Sequence, residues 1–273
     1  TAPNGLFVGG GNLLHGHGTV NARISAGIGS LIAAEGGNLT LGSATSPAGF
    51  FSDGDLSTGA NTVTINDAND AVLGSLTTLG DGVSGGTLVA GTAVTGDTRT
   101  HFLIEQGKNL VGRGHVVGNV KNHGSVIGDG PSLLPNERIV FDAGWKVSGI
   151  GDFANVLFDG TFAPGLSPGV VAGSDLAIGG TLEIELGGAT PGNGIGHHDQ
   201  VNDAGVFTMA AGAALVLQPY GGFLPTLGEQ FTIVTAAAGF AGEFASVTVD
   251  PWFLQHGIDF QLNNTGTSLL LTA

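Results

Sequence analysis

Residues 107–127 read GKNLVGRGHVVGNVKNHGSVI, and the reading of this stretch decides the fold. A G-x-G pair, Gly112 and Gly114, is followed two positions on by the apolar Val116. A later turn glycine precedes a small hydroxyl and an apolar residue, Ser125-Val126. The same rung occurs at 11–32, GNLLHGHGTVNARISAGIGSLI, with Gly16, Gly18, Val20 and Ser30-Leu31. It occurs again at 145–163, WKVSGIGDFANVLFDGTFA, with Gly149, Gly151, Phe153 and Thr161-Phe162. One short rung returning at irregular distances predicts stacked coils with insertions between them.

The composition agrees. Glycine supplies 51 of 273 residues, far above the usual share of about 7%. There is no G-X-Y period, which excludes collagen, and glycine in β proteins marks turns and close backbone approach. Disorder is excluded by a chain that is 41% hydrophobic and only 11% charged. In–out alternation is plain at 61–66 (NTVTIN), 86–91 (GTLVAG), 100–105 (THFLIE), 181–186 (TLEIEL), 214–218 (ALVLQ), 230–235 (QFTIVT) and 268–272 (SLLLT). The Ala-rich stretches at 209–214 and 235–239 are too short or too broken for a stable helix, so almost no helix is expected. The predicted fold is all-β: a parallel β-helix (β-solenoid) with a C-terminal β-rich section that continues or caps it. The texture changes at APGLSPG (163–169), where Pro164 and Pro168 stop ladder pairing. This places a Gly-rich body with loop inserts at 1–163 and the second section at 164–273. Two further repeated strands, GGNLTLG (36–42) and GGTLVAG (85–91), precede segments read as inserts at 43–72 and 92–101.

The chain has no cysteine, so neither disulfides nor thiolate chemistry are available. A net charge of −15 argues against nucleic acid and against anionic membrane surfaces. No apolar run is long enough for membrane insertion as a helix. The opening TAPNGLFVGG has no signal-peptide pattern, and the expectation is a mature secreted chain, extracellular or on a bacterial cell surface.

From Phe162 onward the chain resembles the end of autotransporter passenger domains and of PEP-CTERM-type secreted surface proteins. The residues that carry the resemblance are GTFAPGLSPGVV (160–171), GGTLEIELGG (179–188), HHDQVNDAG (197–205), GEQFTIVTA (228–236) and GFAGEF (239–244). The resemblance implies a right-handed parallel β-helix displayed outside a bacterial cell. The chain departs from it in carrying neither a translocator barrel nor a sorting tail.

Candidate chemistry is sparse. His197, His198, Asp199 and Asp203 form the densest group of potential metal ligands, and Asp53 with Asp55 forms a D-x-D turn suited to Ca2+. The competing reading is a set of polar turns in which Asp199 caps backbone amides. No motif requires a cofactor, and Ca2+ is the ion that the acidic turns suit. His15 and His17 sit two apart on a rung, but the second repeat has no matching imidazoles. Glu183 and Glu185 share one strand face, which fits a solvated edge better than a glycosidase pair. Other acids, Asp67, Asp70, Asp81, Asp97 and Asp129, read as corner turns. No nucleophile elbow, P-loop or dinucleotide motif is present.

The expected role is therefore a non-enzymatic structural or adhesive surface protein that assembles with copies of itself into a filament or matrix. The alternative is a polysaccharide-binding or polysaccharide-degrading β-helix protein, with polysaccharide or a host surface as partner. Two apolar terminal segments are the expected assembly contacts: Leu6, Phe7 and Val8, and Leu269, Leu270 and Leu271.

Overall fold

A computed structural model of the chain describes residues 5–43, 49–131 and 137–273. Among these residues the chain is almost wholly β, with one short helix at Pro251–Gln255. It divides into two compact units, Thr1–Lys146 and Val147–Ala273. The texture change at residue 163 lies inside the second unit. Each unit is a stack of short parallel strands, the architecture of a β-solenoid.

In the first unit the stacking is read directly from the register. On one face Leu39 lies beside Val63, Val63 beside Leu88, Leu88 beside Val116 and Val116 beside Phe141. All five side chains are buried, because each sits on the inner side of its strand. A second face carries Ile32, Leu56, Thr77, Leu110 and Val126 in the same way. A third carries Ile24 beside Phe50 and Phe102 beside Ala71 and Val120. The two repeated strands at 36–42 and 85–91 are thus members of one ladder, joined through Thr62–Asn66.

The G-x-G pair is the corner between faces. Gly112 closes one strand and Gly114 opens the next, with φ of 107° and 130°. A Cβ on Gly112 would lie 2.1 Å from Leu79 O, and one on Gly114 would lie 1.9 Å from Gly86 O. Adjacent coils touch backbone to backbone there, so no side chain fits. In the first repeat the corresponding glycines lie inside one strand, Leu13–Val20, where the register shifts between Gly16 and Gly18.

The segment 43–72 is not a loop insert. Within it, Phe50–Ser52, Asp55–Ser57, Thr62–Asn66 and Ala71–Val72 are strands that pair with the coils on either side. Residues 44–48 of that segment lie outside the described residues. Residues 92–101 hold no strand and remain an insert.

In the second unit Phe162, Leu182, Leu215 and Val247 follow one another across four parallel strands. Phe153, Phe158 and Phe162 form a buried aromatic cluster, with Phe158 and Phe162 stacked at 4.1 Å. Asn155 and Asp175 take positive φ, 53° and 55°, as the turn residues that best tolerate it. The chain ends in an antiparallel arrangement: Ser268–Thr272 pairs with Gln230–Ala236 on one edge and with Gln261–Asn264 on the other. The helix begins at Asp250, whose carboxylate accepts the Trp252 N–H at 2.8 Å, and it buries Phe253 against Phe260.

Candidate functional site

The group at 197–203 is held in extended backbone, as His197–His198 and Gln200–Asp203. His198 is buried, with Nδ1 2.9 Å from Gly188 O and Nε2 3.2 Å from Thr232 O. Its edge meets the Phe231 ring. Burial holds this imidazole below its ordinary pKa, against the pull of the two carbonyls. A neutral ring has one N–H, and the shorter contact gives it to Gly188 O. Thr232 O is served independently by Gln200 Nε2 at 2.8 Å.

Asp199 and Asp203 are both buried, and both face main-chain donors. Asp199 accepts the Gly169 N–H on Oδ1 at 2.6 Å and the Glu185 N–H on Oδ2 at 2.7 Å. Burial pushes its carboxyl up to about 8, opposed by those two donors and assisted by the charges of Glu185 and Glu183. Asp203 accepts the N–H groups of Asp175, Gly205 and Leu176 at 2.9, 2.7 and 2.9 Å. These carboxylates fasten one coil to the corner of another. A cation in either position would face the positive ends of N–H dipoles, so this arrangement is poor for a metal. The amide-capping reading of Asp199 matches the geometry.

Asp53 is paired with an ammonium. Lys108 Nζ lies 3.1 Å from Asp53 Oδ1, 3.0 Å from Glu105 Oε2 and 3.1 Å from Ser52 O, above the Phe51 ring. The lysine takes the place a cation would fill. Asp55 starts its own strand beside Leu31 and is half-buried. Among the described residues no three His, Asp or Glu side chains come together to hold a metal.

The remaining candidates are dispersed. His15 Nδ1 pairs with Glu35 Oε2 at 2.7 Å on an exposed surface, and His17 Nδ1 lies 3.3 Å from Glu35 O. Glu183 and Glu185 do share a half-buried face, and their neighbours on the next strand are Val216 and Gln218. That leaves no opposed carboxylate on this strand pair.

One polar cluster was not singled out from sequence. Arg99 donates through Nη1 to Ala68 O at 2.8 Å and through Nη2 to Thr92 Oγ1 at 3.2 Å. His101 is buried, accepts the Asn119 N–H on Nδ1 at 2.9 Å, and meets Trp145 edge-on. Its Nε2 is 3.3 Å from Asp97 Oδ2, too poorly aligned for a hydrogen bond. Burial, then the Arg99 charge, holds His101 below its ordinary pKa. Asn119 Nδ2 donates to Asp97 O at 2.6 Å and Arg99 O at 2.8 Å. The D-x-R-x-H spacing of 97–101 was the available signal. The cluster clasps the 92–101 insert onto its coil.

The terminal segments differ from each other. Leu6–Val8 pairs with Ile24–Ala26 alone, and among the described residues its outer edge has no partner. Leu6 N–H donates to Arg23 O and Val8 O accepts the Gly27 N–H, so Phe7 turns its main-chain groups outward. Leu269, Leu270 and Leu271 lie in a strand paired on both edges, which leaves no edge to offer a neighbour. The expectation that this strand makes an assembly contact by pairing is corrected accordingly.

Compared with known proteins, the chain matches no protein-family model and no curated protein. No helix among the described residues is long and apolar enough to cross a membrane.

Proposed function

We propose that this chain is a non-enzymatic structural or adhesive protein of the bacterial cell surface, working through its solenoid faces and edges. The observation that carries the proposal is the fate of its buried polar groups. Asp199, Asp203 and Asn119 are spent on main-chain hydrogen bonds that tie neighbouring segments of the stack together. A catalytic acid or base must meet a substrate, and these three side chains are buried against main-chain groups. The extracellular setting rests on the resemblance to passenger domains, together with the excess of acids. Ca2+ has no role in this reading, because Lys108 pairs with Asp53 and main-chain N–H groups occupy the oxygens of Asp199 and Asp203.

The test is to incubate the purified chain with a panel of acidic and neutral polysaccharides and to follow new reducing ends and unsaturated products. The expected result is no turnover. Turnover that copurifies with the chain and disappears in Glu183→Gln or Glu185→Gln would establish the enzymatic alternative.

A further inference from the structure

We infer that the chain self-associates by parallel strand addition between two specific edges. The open edge of Leu6–Val8 in one copy takes the open edge of Ser246–Val249 in another. This deepens the structural reading above by naming the partner, a second copy, and it replaces the C-terminal strand with a different one.

Two strand edges are the basis. Among the described residues the Phe7 N–H and C=O of Leu6–Val8 meet no partner, and the Phe7 side chain is 70% exposed. Among the described residues Ser246–Val249 pairs, in parallel, with Ala214–Pro219 alone. Asp250 N–H donates to Leu217 O, so alternation turns the main-chain groups of Val247 and Val249 to the open side. Val247 is 39% exposed although it continues the inner ladder of Leu182 and Leu215. That inner position is built to be covered by a further coil. Each edge belongs to a parallel pair and carries no charged side chain to discourage pairing, the device natural edge strands commonly use.

Charge selects the partner. All seven Lys and Arg residues precede Val147, and the second unit has none. Arg23 flanks the first edge, its O taking the Leu6 N–H, and no acid occurs among the described residues before Glu35. The second edge is flanked in the chain by Glu243 and Asp250. Two first edges would juxtapose Arg23 with its copy, and two second edges would juxtapose acids. Only the mixed pair brings opposite signs together. Such a contact joins different patches, so it grows as a ring or an open chain rather than stopping at a two-fold dimer.

The test uses the whole chain and two edge-blocked variants. Phe7→Pro and Val247→Pro each remove an outward N–H that has no partner within the chain, at edge positions where proline is tolerated. Phe7→Lys and Val247→Lys repeat the test without touching the backbone. Sedimentation velocity across a concentration series should show the unaltered chain growing beyond a dimer, less so at high salt. Each variant alone should stay monomeric with an unchanged melting temperature. A mixture of the Phe7 and Val247 variants should stop at a one-to-one dimer, because each supplies the edge the other lacks. A monomeric unaltered chain, or a variant that dimerises alone, overturns the pairing. Neither result would generate polysaccharide turnover, so failure here is distinct from failure of the non-enzymatic reading.

Discussion

Thr58 and Thr77 are both fully buried, and the same substitution should move stability in opposite directions at the two sites. Thr77 stands in the inner ladder between Leu56 and Leu110, and its hydroxyl has no hydrogen-bond partner. Burying a hydroxyl without a partner costs about 1–3 kcal/mol, so Thr77→Val should stabilise the chain by about that amount. For a chain of this size that corresponds to roughly 2–10 °C in melting temperature. Thr58 is different: its Oγ1 accepts the Gly80 N–H at 3.0 Å and donates to Gly59 O at 2.9 Å. Thr58→Val strands both groups, and should cost about 1–3 kcal/mol. Shape, β-branching and burial change identically in the two variants, so the difference in sign isolates the hydrogen bond. Urea unfolding followed by circular dichroism measures both. If Thr77→Val leaves stability unchanged or lowers it, the Thr77 hydroxyl has a partner such as a buried water, and the ladder argument is wrong.

Asp199 gives a pH dependence with a definite sign. Its folded carboxyl titrates at about 8, against an ordinary 3.8, so its stabilising contribution is complete below about 3.8 and is lost as pH rises through about 8. Within that window the loss is about 1.4 kcal/mol per pH unit. Melting temperature should therefore fall from pH ~5 to ~8, and the slope should flatten in Asp199→Asn; an equal slope in the variant would refute the assignment to this residue. The corner glycines make a second pair. Gly114→Ala places a Cβ against Gly86 O at φ +130°, whereas Gly107→Ala meets nothing within 4 Å at φ +80°. The first should cost about 2–5 kcal/mol and the second about 1–2, as read by denaturant midpoints, and equal costs would mean that the coils do not touch at the corner.

The sequence disclosed what depends on neighbours in the chain. Thr181–Leu186 and Ser268–Thr272 show their inner and outer faces by alternation alone, because side-chain direction has period two. Gly112 and Gly114 announce a corner because only glycine fits there. The segment 43–72 reads as an insert because its strands Phe50–Ser52, Asp55–Ser57 and Ala71–Val72 span two or three residues. Alternation cannot be established over so short a run, and the stacked neighbours, not local propensity, hold these residues extended. The role of the acids was hidden for a related reason. Asp199 serves N–H groups 30 and 14 residues away, and Asp203 serves those 28 and 27 away. Three of these distances, 27 to 30 residues, are about one coil in sequence, yet all four donors are adjacent in space. A carboxylate in such a stack is assigned by which coil lies beside it, and that is fixed by the register of the stack. The Leu269–Leu271 strand fails as an edge on the same grounds: its apolar sequence marks a strand that needs partners, and the fold supplies both of them from its own chain.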